Sequence, residues 1–214
     1  FIEYLNFYFS DQISQKKLTE ASNYADKLTD DIDDLPIFNT SPVIIDRTHI
    51  AYISTLKEYP SVVIEDNKTR SKKILTRAYT GLDYIPYSKF TTPVRSLNVS
   101  NNSRYLIFVG KKSHRDYFCI YDIKNDSFKK ILVDGVDELG RVSFSQDDKK
   151  LVFSAMRDGV YDIYELDFEL LLKNERIDYR MFREITSDDD YDDFPQYLSD
   201  GRIAFICERG NFDD

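Results

Sequence analysis

A short apolar segment built around one aromatic residue recurs four times along this chain of 214 residues. The aromatic anchors of the four copies are Tyr52 in HIAYIST, Phe108 in YLIFVGK, Phe153 in LVFSAMR and Phe205 in IAFICER. Fourteen positions after each of the first three anchors stands an aspartate: Asp66, Asp122 and Asp167. A self-similar unit of this length is typical of solenoid and propeller proteins. The repeat therefore constrains the fold more strongly than any single residue does.

Each copy predicts a set of short antiparallel strands. The run before each aspartate, such as YFCIYD, is apolar or alternating, and connectors such as SAMRDG have the composition of hairpin turns. A strand is expected before each anchor, and another after the aspartate, in KKILTRA, FKKILVD and MFREITS. Four short strands per copy describe a propeller blade. We predict an all-β fold, an incomplete β-propeller of about three and a half four-stranded blades, in which the first three anchors are equivalent.

Two acidic stretches precede blade-like segments. LTDDIDDLPIF at residues 28–38 matches ITSDDDYDDFPQY at residues 185–197, which places the first strand of the first copy next to Pro36. The first strand of a blade starts near the central channel, so the aspartates here are candidate channel-side binding residues. They are Asp33, Asp34, Asp189, Asp192 and Asp193. Their spacing does not match that of an EF-hand loop, so we expect solvent-facing turns that bind calcium weakly at most.

The third copy resembles the TolB-type β-propeller repeat. Its sequence SFSQDDKKLVFSAMRDGVYDIYELD, residues 143–167, is similar to the family form S-P-D-G-K-x-I-A-F-x-S-x-R-D-G-x-x-D-I-Y-x-x-D, and residues 194–209 give the next best match. In the first copy, SPVIIDRTH at residues 41–49 is matched to the Ser-Pro-Asp turn of the family. The resemblance covers residues 28–209 and implies a fold rather than an activity. The chain is also similar to bacterial proteins in which a gluzincin-like zinc-peptidase domain precedes the propeller, which implies a periplasmic or other extracytoplasmic location.

The segment before the first copy differs from the repeats. Apolar residues at Leu18, Ala21, Ala25 and Leu28 recur at helical spacing, so residues 1–27 are interpreted as a helical lead-in or linker from an upstream domain, and residues 28–214 as the blades. The stretch at residues 27–29 resembles the end of a blade. We therefore predict that it is the outer strand of the final blade and closes the ring, which would remove an exposed sheet edge.

The chain lacks the sequence patterns of hydrolytic enzymes. It has no H-E-x-x-H and no G-x-S-x-G, and its only histidines, His49 and His114, lie in different copies. We therefore expect no catalytic, metal-binding or cofactor-binding residues and no enzymatic activity in this segment. The two cysteines, Cys119 and Cys207, lie in apolar strands of different copies and are predicted to be buried free thiols.

Charge and hydropathy limit the partners. The net charge is −9, although residues 67–115 hold eleven Lys or Arg and a single acid, Asp83. These cations straddle strand runs without an interleaved aromatic platform, so they indicate solvated blade surface rather than a nucleic-acid site. No apolar run approaches the length of a membrane span. We interpret the chain as a non-catalytic scaffolding propeller that binds a protein or a peptide. The alternative is an accessory substrate-gating domain of a peptidase whose catalytic domain lies outside this chain. A small-molecule ligand is not expected.

Overall fold

Antiparallel sheets follow one another along the chain, one for each copy of the repeat. The computed structural model describes residues 39–57, 59–75 and 97–208. The predicted helical lead-in over residues 1–27, the blade-closing strand at residues 27–29 and the candidates Asp33 and Asp34 lie outside the described residues. They remain predictions.

Three sheets each contain four antiparallel strands, one of these sheets has a further parallel strand, and a fourth sheet is described for two strands. Blade 1 comprises β1 (Asn39–Ile44), β2 (His49–Lys57), β3 (Tyr59–Asp66) and β4 (Lys72–Ile74). Blade 2 comprises β5 (Asn98–Val99), β6 (Tyr105–Lys112), β7 (Arg115–Asp122) and β8 (Ser127–Asp134). Blade 3 comprises β9 (Glu138–Phe144), β10 (Lys150–Arg157), β11 (Val160–Asp167) and β13 (Arg183–Glu184). Blade 4 comprises β14 (Asp192–Tyr197) and β15 (Ile203–Cys207).

The register of the hairpins confirms that the first three anchors are equivalent. Each is the fourth residue of the second strand of its blade. Each pairs with the residue eleven positions later: Tyr52 with Val63, Phe108 with Cys119 and Phe153 with Tyr164. The residue three positions before the anchor pairs with the repeated aspartate: His49 with Asp66, Tyr105 with Asp122 and Lys150 with Asp167. The constant offset to the aspartate therefore reports one hairpin geometry built three times.

Successive blades pack face to face, and the anchors of blades 2 to 4 all face the preceding blade. Phe108 is buried with Ala51 and Ile53 of blade 1. Phe153 is buried in a cluster with Ile107 and Phe118 of blade 2. Phe205 packs against a cluster that contains Val152 and Ile163 of blade 3. Strand side chains alternate between the two faces of a sheet, so the anchor and its neighbours fill two different interfaces. The double-sided burial explains why the second strands read as continuous apolar runs.

The first strands of consecutive blades contact one another, β1 with β5, β5 with β9 and β9 with β14. This convergence is the arrangement around the axis of a propeller.

The start of the first copy was predicted at the wrong proline. In β1 the register shifts between Thr40 and Val43, and in β14 it shifts between Asp193 and Gln196. Both strands pair their first residue with the position two after the anchor, so Pro42 is the equivalent of Pro195. The prediction had used Pro36, because an acidic stretch precedes it as one precedes Pro195. It follows that Ser41 and Pro42 belong to a bulged strand and do not form the Ser-Pro-Asp turn of the family.

Blade 2 carries a fifth strand that was not predicted. An insertion between β11 and β13 begins with a short helix, α1 (Phe168–Lys173), and continues as β12 (Arg176–Asp178). The β12 strand pairs parallel to β8, the outer strand of blade 2. The insertion therefore belongs to blade 3 in sequence and covers the edge of blade 2 in space.

Candidate functional site at the channel side of blades 3 and 4

A groove of about 430 Å³ opens along the first strands of three consecutive blades. It is lined by Asn98 of β5, by the stretch 141–143 of β9, by the stretch 194–196 of β14, and by the stretch 204–206 of β15. Because first strands surround the axis of a propeller, this groove lies on the channel side of the blades. Its walls include two phenylalanines, two side-chain amides and one guanidinium group.

Phe194 is the conformational exception in this groove. Its φ is +62°, a left-handed value that bulky residues rarely adopt, and it lies at the bulge of β14. The Phe194 N–H donates to the Asp193 carboxylate at 2.7 Å, which holds this conformation. Its side chain remains 37% exposed. Such backbone strain concentrates at binding sites, where the surrounding structure maintains it.

The Arg141 guanidinium covers one face of the Phe194 ring, 3.6 Å from the ring centre. Partial burial lowers the pKa of Arg141 from its ordinary value, although nearby Asp193 and Tyr191 oppose that shift. The stacked pair places a cation next to an exposed aromatic surface on the channel side. A cation over an aromatic ring is attracted to its electron-rich face.

Asp193 is a buried structural residue rather than a loop residue. It is 3% exposed, and its carboxylate accepts hydrogen bonds from the Ser154 hydroxyl at 2.5 Å and from the Phe194 amide. The predicted solvent-facing role is wrong for Asp192 and Asp193, because both lie at the start of β14 and are buried. Asp189 lies in the loop before β14 and is exposed, as predicted.

Asp192 belongs to a cluster of three carboxylates. One ligand atom from each of Asp162, Asp188 and Asp192 lies within 4.8 Å of the other two. Asp162 comes from β11 of blade 3, and Asp188 precedes β14. Burial raises the pKa of Asp162, and the negative charges of Asp188 and Asp192 raise it further. Hydrogen bonds from the Thr186 hydroxyl and the Asp188 amide lower it, but they do not outweigh the rise. The sequence reasoning missed Asp162, although it is the aspartate of the D-I-Y element in the repeat.

His49 takes part in the turn before β2. Its Nδ1 lies 3.0 Å from the Thr48 hydroxyl and 3.0 Å from the Asp46 carboxylate. The Thr48 hydroxyl and the Asp46 carboxylate thus contact the same ring nitrogen, and Nε2 lies 3.8 Å from the Asp66 carboxylate. The Asp46 carboxylate also accepts the backbone N–H groups of Thr48 and His49, which lowers its pKa to about 2. These hydrogen bonds stabilise the turn between β1 and β2.

The two cysteines differ in burial. Cys119 is buried in β7, and burial raises the pKa of its thiol. Cys207 is partly exposed on β15, so the prediction of burial holds for Cys119 alone. Over the part of the chain that the structure describes, no helix is long and apolar enough to cross a membrane.

Comparison with known proteins gives similarity in structure and none in sequence families. No family model and no curated protein matches the chain. It is similar to TolB from Acinetobacter baumannii, with a TM-score of 0.58, 19% identity, and coverage of 79% of this chain and 37% of that one. For a TolB from Agrobacterium tumefaciens the TM-score is 0.56 and the identity 12%, over 78% of this chain and 53% of the other.

A third similar structure is the propeller domain of the trilobed protease from Pyrococcus furiosus, with a TM-score of 0.50 and 14% identity over 80% of this chain and 53% of that one. The chain thus spans between 37% and 53% of the length of these three proteins. The hairpin register, the convergence of the first strands and this similarity all agree. The chain has the fold of a TolB-like β-propeller.

Proposed function

We propose that this chain is a non-catalytic propeller module that binds a protein or peptide segment in the channel-side groove, within a bacterial extracytoplasmic, periplasmic protein. The observation that carries the proposal is the exposed Phe194 ring, held by a left-handed backbone at the junction of blades 3 and 4. A strained residue that presents an aromatic surface serves binding better than it serves packing. Aromatic side chains also dominate the energetics of peptide recognition.

The groove offers both kinds of contact that an extended peptide needs. Phe194 and Ile206 provide apolar surface, and Ile206 is 58% exposed. The carbonyl oxygen of the Asn98 side chain accepts the Phe144 N–H at 3.3 Å, which directs its amide group as a donor. Gln196 is exposed on the same wall and supplies a second amide. Side-chain amides of this kind can hydrogen-bond to the backbone of a peptide independently of its sequence.

The absence of a catalytic role is supported by the chemistry of the described side chains. In the groove the polar groups are amides, the Ser143 hydroxyl and the Arg141 guanidinium, with no histidine or carboxylate on its walls. A hydroxyl nucleophile requires a base within hydrogen-bonding distance. Within the described stretches, the groove therefore has the means to bind a peptide and lacks a group to activate a nucleophile.

The proposal is tested with peptides selected by the purified protein from a random display library, with affinities measured by fluorescence anisotropy. Phe194→Asn removes the ring and keeps a residue that tolerates positive φ. Truncation of a central aromatic contact weakens binding by about tenfold or more. The matched control is Leu198→Ala, since Leu198 is similarly exposed at 38% but lies outside the groove.

Selected peptides that bind equally to the wild type and to Phe194→Asn would contradict the location of the site. Cleavage of those peptides by the purified protein would contradict the non-catalytic assignment. The accessory domain of a peptidase remains the alternative prediction. An H-E-x-x-H motif before Phe1 or a G-x-S-x-G motif after Asp214 in the full-length protein would favour it.

A further inference from the structure

The junction of blades 3 and 4 contains a buried carboxylate without a hydrogen-bond donor. Asp192, the first residue of β14, is 0% exposed, and neither of its side-chain oxygens has a hydrogen-bond partner among the described residues. By contrast, the next residue, Asp193, receives the Ser154 hydroxyl and the Phe194 amide. A buried ionised carboxylate is strongly unfavourable unless a cation or several donors compensate it. Asp192 therefore requires a compensating group that the neighbouring side chains do not supply.

Two further carboxylates converge on Asp192. Asp162 is 9% exposed, and Asp188 is exposed at the outer side of the cluster. Among the described residues no lysine or arginine forms an ion pair with Asp162 or Asp192. Three carboxylates at this separation repel one another, and a divalent cation between them would turn the repulsion into attraction.

We propose that Asp162, Asp188 and Asp192 form a calcium site that joins blade 3 to blade 4. The three ligand atoms lie within 4.8 Å of one another, which is about twice the Ca²⁺–oxygen distance of about 2.3–2.6 Å. One ion can therefore contact all three. The ligands are hard oxygens, and the exposed side of Asp188 leaves room for water to complete the about six to eight ligands that Ca²⁺ prefers.

Calcium fits the cluster better than magnesium. Mg²⁺ requires oxygens at about 2.0–2.1 Å in near-ideal octahedral geometry, and it gives up its water reluctantly. A site whose ligands come from β11, from a loop and from β14 is adaptable rather than octahedral. The sequence predicted weak calcium binding, because the acidic loop before β14 does not have the spacing of an EF-hand. The third ligand, Asp162, comes from β11 of blade 3, outside that loop.

The site has a structural consequence for the loop between β13 and β14. The Thr186 hydroxyl donates to the Asp162 carboxylate at 3.4 Å, and the Asp190 N–H donates to Asp188 at 3.1 Å. A cation bound by Asp162 and Asp188 fixes both ends of this network. It also fixes the first residue of β14, which leads directly into Asp193 and Phe194.

Calcium binding is measured on the purified chain after removal of metal with EGTA, by isothermal titration and by thermal unfolding. We expect one ion per chain and a melting temperature higher by about 5–10 °C when calcium exceeds its Kd a hundredfold. Magnesium at the same concentration should give a smaller shift. Terbium provides a second readout, because it replaces calcium and is excited by nearby tyrosines; Tyr161 and Tyr191 directly precede the ligands Asp162 and Asp192 in the sequence.

Asp192→Asn and Asp162→Asn should each weaken calcium binding by about tenfold or more, as expected for loss of a charged ligand. Asp188→Asn tests the same site at an exposed position, where folding is not at risk. The control is Asp189→Asn, which changes an exposed aspartate of the same loop that is outside the cluster.

No calcium-dependent shift in the wild type would overturn the proposal. Equal losses in Asp188→Asn and Asp189→Asn would also overturn it, because they would indicate general charge attraction by the loop. A one-to-one site that is lost in Asp188→Asn and kept in Asp189→Asn supports it.

Discussion

Ser154 on β10 donates a hydrogen bond of 2.5 Å to the Asp193 carboxylate on β14, and both residues are buried. The Ser154 hydroxyl also accepts the Arg141 N–H at 3.0 Å. One side chain thus joins the first and second strands of blade 3 to the first strand of blade 4. Gly140 makes this possible, since a Cβ there would lie 2.1 Å from the Ser154 oxygen. The same contact supports Asp193, which in turn holds the left-handed conformation of Phe194.

Ser154→Ala should destabilise the protein by about 1–3 kcal/mol, because it leaves a buried carboxylate without one of its donors. The loss of unfolding free energy is measured by urea denaturation, provided that the variant and the wild type show the same dependence of that free energy on urea concentration. Ser199→Ala, at an exposed position in the turn after β14, should leave the unfolding midpoint unchanged. Equal midpoints for Ser154→Ala and the wild type would mean that the inter-blade hydrogen bond contributes nothing.

The turns of blades 2 and 3 are joined by one carboxylate. Asp148 accepts the backbone N–H of Asn101 at 2.6 Å and that of Asn102 at 2.9 Å. Asp148→Ala should therefore cost about 1–3 kcal/mol of stability. The matched control is Asp158→Ala, because Asp158 has a similar positive φ, +52° against +57°, without these contacts. The difference between the two variants isolates the hydrogen bonds from the backbone strain, and equal losses would contradict the role assigned to Asp148.

Local sequence patterns predicted the blades well, because a hairpin is encoded by alternation, turn residues and a constant offset between its two strands. They failed where the outcome depends on the register of a bulged strand or on contacts between blades. Pro36 and Pro42 are six residues apart, and only the register with β2 identifies Pro42 as the equivalent of Pro195. The contact of Asp162 with Asp192 joins two blades across a turn, an insertion and a loop, so no spacing rule contains it. The three-residue β12 was missed for the same reason.

Glu165 makes stability depend on pH in acid. It is 5% exposed, and its carboxylate accepts hydrogen bonds from Lys150 at 2.8 Å, Tyr197 at 2.8 Å and Arg183 at 2.9 Å. Burial raises the pKa of Glu165, but these three donors outweigh it, and its net pKa lies below the ordinary 4.5. A lowered carboxyl pKa gives stability that is present above the unfolded-state pKa and is lost as the pH falls through the folded-state pKa.

We therefore expect Glu165→Gln to be less stable than the wild type by about 1–3 kcal/mol at neutral pH. The difference in unfolding free energy between the wild type and Glu165→Gln should become smaller as the pH falls below about 4.5. Denaturant unfolding at a series of pH values measures both effects. Glu169→Gln is the control, since Glu169 is exposed on α1 and should show no such change of gap. A gap for Glu165→Gln that stays constant from neutral to acid pH would contradict the assignment.

The β12 strand should act as a cover for the outer edge of blade 2. Ile177 at its centre pairs with Val133 of β8 and is 3% exposed within the largest core cluster. Ile177→Ala should cost about 2–4 kcal/mol, because it leaves a cavity in that core. The control is Met181→Ala, four residues later, where the side chain is 45% exposed.

Loss of β12 would also expose the edge of β8, and exposed edges pair with other chains. We therefore expect Ile177→Ala to aggregate at lower temperature than Met181→Ala in light scattering; the same aggregation temperature for both variants would show that β12 does not protect this edge.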